Sequence, residues 1–368
     1  MKTLIKILLF CVIYLMIFGA MMVLSASGTY SAIKFNSIYF LFKSHLWKVI
    51  VAIGVLIITS IVPYDNYKQF SKYMLLGVLL LLIITLFAPE IKGASRWIDF
   101  GIFKFQPSEL AKIVLIIHLA FMIERKGEDI QNLKNGFAYP MIWVFLIAGL
   151  ILVQPNVSTS MIIVAISLML LYVGGANLKH ILGVVGSAGA FAVIGIMMFS
   201  HSRSRVFSFI ESLINGTDVN LQVKQAKIAL GSGGFLGVGL GHSRQSDLFL
   251  PEPFGDFIFS ILGEETGFIG TLLVLLTYLA IFTIGLIIAL KANDKFGRLL
   301  AFGISFNIAI AAFINAAVVT GIFPTTGITL PFISFGGTSI IIFAVSVGIL
   351  TNIGLQIIRN KELKLAQV

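Results

Sequence analysis

Residues 250–270 read LPEPFGDFIFSILGEETGFIG and place the carboxylates Asp256, Glu264 and Glu265 in a run that is otherwise mostly apolar or small. A charge in apolar surroundings is costly. A carboxylate kept ionised there can take a proton as a general base. If a helix starts near Asp256, then Asp256, Ser260, Gly263, Gly267 and Gly270 share one stripe at helical period. Glu264 then lies about 80° from Asp256 and Glu265 about 180° away, so the acids do not form one cluster. Gly263 and Gly267 make a small-xxx-small contact that admits a second helix. Spacing alone leaves two readings of Asp256 level: a helix cap, which Asp does well, and a reactive group at the mouth of a cavity. Glu264 and Glu265 read as structural.

Other stretches carry polar chemistry. In FQPSELAK (105–112), Pro107 suits the first helical position and Glu109 falls where a carboxylate caps free N–H groups. Lys112 can pair with Glu109 on the same face. That is a self-neutralising helix start, yet an ionisable group about one turn into a membrane helix is also a functional-site hypothesis. In GASRWIDFG (93–101), Arg96 can grip phosphate and Trp97 suits a headgroup level or a sugar face; alone, the pair is an ordinary interfacial anchor. In QPNVSTS (154–160), Pro155 would break a helix and leave polar side chains facing a cavity, or the stretch is a turn between two spans, the reading preferred. The glycines of ALGSGGFLGVGLG (229–241) suit a tightly packed re-entrant segment; no Rossmann pattern supports a dinucleotide site. FPTTGITLPFISFGGTS (323–339) interrupts apolar sequence with prolines, hydroxyls and glycines, which suits a cavity wall.

The elements that position these groups follow from composition. Of 368 residues, 58% are hydrophobic and 11% charged, against roughly 25% charged in ordinary globular chains. The expected fold is an all-α polytopic membrane protein with about ten transmembrane helices. Spans are predicted at 7–26, 46–63, 73–89, 108–124, 138–154, 157–175, 179–200, 257–290, 297–320 and 336–358. The first is read as a retained helix, since its apolar run exceeds a signal-peptide core. The 257–290 run is too long for one perpendicular crossing, so its first turns should lie at the surface or inside the protein. Residues 1–368 form one domain, with a large extracytoplasmic loop, 201–256, between helices 7 and 8. Connections at 27–45 and 90–107 lie on the same side.

The net charge is +10. Short basic loops around Lys68, Lys72, Arg125, Lys126, Lys134, Lys179, Lys291, Lys295 and Arg298 mark the cytoplasmic side, together with both termini. Lys92, Arg96, Lys104, Arg203, Arg205, Lys224, Lys227 and Arg244 lie opposite and point to an anionic partner, not to nucleic acid. The one cysteine, Cys11, allows no intrachain disulfide, and the five histidines show no metal-ligand spacing. No protein metal site is expected; a divalent cation at a substrate pyrophosphate is left open.

These motifs, in this order and over nearly the whole chain, resemble the SEDS family of shape, elongation, division and sporulation proteins, which includes FtsW and RodA. The resemblance implies an inverting peptidoglycan glycosyltransferase of the bacterial cytoplasmic (inner) membrane. It would polymerise lipid II, the undecaprenyl-pyrophosphate-linked disaccharide-peptide, with a class B penicillin-binding protein and other divisome or elongasome proteins as partners. It implies catalytic roles for Asp256, Lys112 and Glu109. Arg96, Trp97, Arg203, Arg205, Lys227, Gln225 and Ser334 become candidate substrate contacts, the cations as pyrophosphate ligands. SASGTYSA (25–32) and GLGHSRQSDLFLPE (239–252) look more like the FtsW branch than the RodA branch. QPNVST departs from the family's QPDLGT, so Asn156 stands where an acid is usual, and Gly255 stands where Thr is usual. A lipid II flippase without polymerase activity is the rival; it predicts charged groups spread through the bundle instead of gathered at outer helix ends.

Overall fold

The computed structural model describes residues 1–90, 94–101 and 104–366. Lys92, counted among the loop cations, and Gly93 of the Arg-Trp motif lie outside the described residues. In chain order come α1 (Lys2–Phe35), α2 (Phe40–Ile61), α3 (Tyr64–Leu86), α4 (Pro107–Lys126), α5 (Ala138–Val153), α6 (Val157–Val173), α7 (Leu178–Met198), α8 (Ser200–Asn215), α9 (Leu221–Ser232), α10 (Arg244–Leu248), α11 (Ile258–Lys291), α12 (Lys295–Val319) and α13 (Ser339–Ala366). An antiparallel hairpin, β1 (Ile98–Asp99) with β2 (Lys104–Phe105), stands between α3 and α4.

A helix covers each of the ten runs read as spans. Among the described residues, eight helices are long and apolar enough to cross a membrane. α6 is shorter, at 17 residues, and α4 carries charges at both ends. Two connections differ from the sequence reading. α1 runs on to Phe35 and α2 begins at Phe40, so the expected 27–45 connection shrinks to residues 36–39. The 201–256 segment is not a plain loop but holds α8, α9 and α10. Searching for uniformly apolar runs misses α8, SHSRSRVFSFIESLIN, because a two-faced helix mixes Arg and Ser with Phe, Ile and Leu. The Asn220 side chain caps α9 by accepting from the Gln222 and Val223 N–H groups.

Lys2 of α1 pairs with Glu362 of α13 at 2.8 Å, so both termini lie at one end of the bundle. At that end Lys68 meets Glu124, and the Tyr64 hydroxyl donates to Asp294. α4, α12 and α13 form the centre: the apolar windows of α12 and α13 are 72% buried, against 17% for α7. α4 packs against α3, α5, α6, α12 and α13. Such enclosure is what lets a helix keep ionisable side chains inside an apolar bundle.

α11 is two helical pieces joined at Gly267, where φ 67° and ψ −166° leave the helical path. The glycine-rich stretch runs alongside this break. The Val238 and Gly239 N–H groups donate to the Glu264 and Glu265 carbonyls at 2.9 and 3.1 Å, and the Phe268 N–H donates to the Gly234 carbonyl at 2.8 Å. The contact is backbone on backbone: a Cβ on Gly233 would stand 2.0 Å from the Gly263 oxygen, and one on Gly237 2.1 Å from the Glu265 oxygen. These glycines therefore serve close packing. The acids seal the joint. Ser243 and the N–H groups of Arg244 and Gln245 donate to Glu264, and Ser25 of α1 donates to Glu265. The first turns of α11, 258–265, are buried, which places them inside the protein.

Candidate active site

Asp256 lies in the turn just ahead of α11. The helix N-cap is Phe257, with no side-chain capping bond. Asp256 thus stands one residue ahead of the N-cap position. Its backbone is clamped instead. Asn315 of α12 donates from Nδ2 to the carbonyls of Asp256 and Ile328, both at 2.7 Å. The Ser334 hydroxyl donates to the Gly255 carbonyl at 2.9 Å and accepts from the Leu330 N–H at 2.8 Å. The Phe335 N–H donates to the Phe254 carbonyl at 2.8 Å. The 323–339 segment thus forms the wall that holds the Asp256 turn.

The carboxylate faces α8. A Cβ built on Gly327 would lie 3.5 Å from Asp256 Oδ2 and 3.7 Å from Arg205 Nη1, so both groups converge on one point. Arg205 Nη1 also reaches the Thr325 carbonyl at 3.5 Å. Burial pushes the Arg205 pKa down and Asp256 holds it up. Arg96 is pushed down by burial and then by Arg205, again opposed by Asp256. Guanidinium groups remain charged under such shifts. Two half-buried cations thus lie within electrostatic reach of the Asp256 carboxylate.

The other candidate residues differ in their surroundings. Arg96 spends Nε and Nη2 on the Gln154 and Pro155 carbonyls, which fastens the 94–101 stretch to the α5–α6 turn. Two of its N–H groups are thereby taken up by main-chain carbonyls. Ser334 is likewise a backbone strut, since its only proton goes to Gly255. Lys112 is buried and pairs with Glu109 at 2.9 Å, with its Nζ 5.6 Å from the Phe343 ring centre. Lys227 pairs with Asp218 at 2.7 Å. Trp97 and Gln225 are half-buried, whereas Arg203 is exposed on the other face of α8 from Arg205. Among the described residues no group of three or more His, Cys, Asp and Glu side chains could hold a metal ion.

Asn315 was not among the site residues expected from the sequence. Its signal was there: an amide inside an apolar span, where polar side chains find protein partners. Asn315→Leu is expected to lower stability by about 1–3 kcal/mol for each carbonyl left unpaired and to slow turnover by loosening the Asp256 turn. Thermal unfolding and rate, measured on the same preparation, check this; parental values for both would remove Asn315 from the site.

Residues 5–357 match the family model described as the cell cycle proteins FtsW, RodA and SpoVE. The chain belongs to this family. Within it the chain is FtsW-like. A Geobacter sp. (strain M18) protein named probable peptidoglycan glycosyltransferase FtsW is 38% identical over 356 residues, covering 94% of this chain and 95% of its own. Stage V sporulation protein E of Bacillus subtilis (strain 168) is 36% identical over 348 residues, covering 92% and 93%. A chain from a solved peptidoglycan synthase complex has the same fold, with a TM-score of 0.76 at 22% identity over 95% of this chain and 97% of that one.

Proposed function

We infer that this chain is a peptidoglycan glycosyltransferase that polymerises lipid II into glycan strands. The observation that carries the chemistry is one carboxylate, Asp256, that meets Arg205 at Gly327 and lies within electrostatic reach of Arg96, at an end of an apolar helical bundle. A lipid-linked pyrophosphate donor needs three things there: a base for the acceptor hydroxyl, positive charge for the leaving group, and an apolar neighbourhood for the lipid. Asp256 takes the acceptor proton. The acceptor oxygen forms its bond to the anomeric carbon as the bond to the pyrophosphate oxygen breaks. The leaving pyrophosphate keeps the electron pair and is met by Arg205 and by the remaining face of Arg96. One carboxylate at the reacting centre supports single displacement with inversion, not a covalent sugar–enzyme intermediate.

Glu109 and Lys112 act one layer away. A closed ion pair in the first turn of α4 keeps that helix end neutral in the bundle and fixes it against Phe343 of α13. α4 and α6 cross the membrane with the eight longer helices, giving ten spans. The end with both termini is cytoplasmic, on the strength of its basic loops, and the Asp256 end faces outward. The relation to division-type relatives supports a role at the septum, beside a class B penicillin-binding protein. The solved relative from a peptidoglycan synthase complex supports that partner.

The test is the purified chain with its transpeptidase partner in lipid vesicles, supplied with lipid II. Glycan strands on a gel are the expected result. Lipid movement across the vesicle with no glycan formed would hand the assignment to the flippase reading.

A further inference from the structure

α8 turns its faces the opposite way from a helix on a water-soluble protein, where the apolar side packs inward and the polar side meets water. Arg205, Ser208, Phe209 and Ser212 look inward, onto a cavity shared with α9. Phe207, Ile210 and Ile214 look outward and are 50%, 43% and 77% exposed. At 100° per residue these three fall within an arc of about 60°, centred about 170° from Arg205. No described side chain of α8 is fully buried, so the helix rests on the bundle without entering it.

Its place in the fold keeps α8 level with the outer helix ends. α7, a helix long and apolar enough to span, ends at Met198, and α8 starts at Ser200. Near the start of α8, Arg205 Nη1 reaches the Thr325 carbonyl at 3.5 Å. Near its end, Ser212 and Gly216 border the same cavity as Gly321 and Phe323, which closely follow α12. The helix therefore runs across the ends of the spans for all of its 16 residues, about 24 Å. Its outward face continues that of α7, where Phe191, Ile194, Met197 and Met198 are each at least half exposed.

An exposed apolar face marks a contact with protein or with membrane. Arg203 decides between them, because it is exposed and falls inside the apolar arc. An apolar pocket on a protein partner would have to strip the water from this guanidinium. At a bilayer the same side chain reaches up to headgroup phosphates while its neighbours enter the acyl boundary. Glu211 is exposed about 40° beyond Phe207, at the margin of the arc, where it keeps to water. We propose that α8 lies in the plane of the outer leaflet, with Phe207, Ile210 and Ile214 in the acyl boundary and Arg203 on lipid phosphate, and that this seat keeps Arg205 beside Asp256. Arg203 then serves the membrane and not the leaving pyrophosphate. α8 packs chiefly on α7, so the bilayer is its second support and a structural part of the site.

The lipid seat stands apart from the glycosyltransferase reading; its effect on rate rests on that reading, and two measurements separate them. The full chain with its transpeptidase partner is placed in vesicles of phosphatidylethanolamine and phosphatidylglycerol whose acyl chains carry bromine close to the headgroup. Ile214→Trp adds an indole to the three tryptophans of the parent, and the parent's emission is subtracted. The added emission is expected to be quenched severalfold, and less by bromine placed at the chain ends, since an in-plane helix sinks only about 5–10 Å. An unquenched indole, covered by water or by the partner, overturns the seat. The second measurement is polymerisation of lipid II by Ile210→Ser with Ile214→Ser in the same vesicles without bromine. The rate is expected to fall about tenfold or more, as the seat loses two apolar anchors. Both side chains are exposed, so the melting temperature in detergent should stay at the parental value. A parental rate from this variant overturns the claim that the bilayer holds Arg205 in place. A quenched indole beside a parent that makes no glycan upholds the seat and sinks the glycosyltransferase reading.

Discussion

Asp256→Asn is expected to slow glycan polymerisation by about 10²- to 10⁴-fold, the range for losing a general base. Asparagine keeps the shape and the Asn315 bond to the main-chain carbonyl, so the turn ahead of α11 persists. What changes is the charge: the amide cannot take the acceptor proton at neutral pH. A second effect runs alongside, because Arg205 then sits in its half-buried place without its carboxylate. Removing one partner of a desolvated pair destabilises through the charge left behind. The double variant Asp256→Asn with Arg205→Met tells these apart. It is expected to recover stability relative to Asp256→Asn and to recover no activity. Parental rates from Asp256→Asn would end the base assignment, and rates rescued in the double variant would show that Asp256 acts only by neutralising Arg205.

Gly237→Ala is expected to lower stability by about 2–5 kcal/mol. Two costs combine. The residue has φ 81°, and a left-handed conformation costs an L-residue roughly 1–2 kcal/mol. The new methyl would also stand 2.1 Å from the Glu265 carbonyl oxygen, and overpacking a tight contact adds about 1–3 kcal/mol. The nearest atoms cannot rotate away, since they are the main chain of Glu265 and Thr266. The ladder between 234–239 and 264–269 orders the first piece of α11, which follows Asp256 directly, so polymerisation should fall with it. Gly54→Ala is the control: α2 leaves that position without a neighbour within 4 Å, and alanine is the better helix former by up to about 1 kcal/mol. Thermal unfolding in detergent reads both. Equal melting temperatures for the two variants would show that the glycine ladder does not hold α11.

The opening stretch shows how far residue order reaches. Helical period separated Asp256 from Glu264 and Glu265, and the structure finds the two glutamates bonded to Ser243, Ser25 and main-chain N–H groups around the α11 break. Period could not choose between capping and chemistry for Asp256, because that depends on whether the helix begins at residue 257 or 258. Tertiary bonds from Asn315 and Ser334 set the turn, and those residues are 59 and 79 positions away. Arg205 was legible as a cation on the outward side but not as the neighbour of Asp256, since α8 itself was hidden by its mixed faces.

What the sequence determined by itself is the class of molecule. Apolar runs of membrane length leave helices as the economical way to satisfy the backbone in lipid, and the ordered motifs marked the family and singled out Asp256 as the candidate base. What only the tertiary structure decided is which charges are spoken for. Arg96 is tied to the α5–α6 turn, Lys112 to Glu109 and Lys227 to Asp218. Charge is read from composition, but the availability of a charge depends on neighbours brought in from distant segments, and linear spacing carries no record of them.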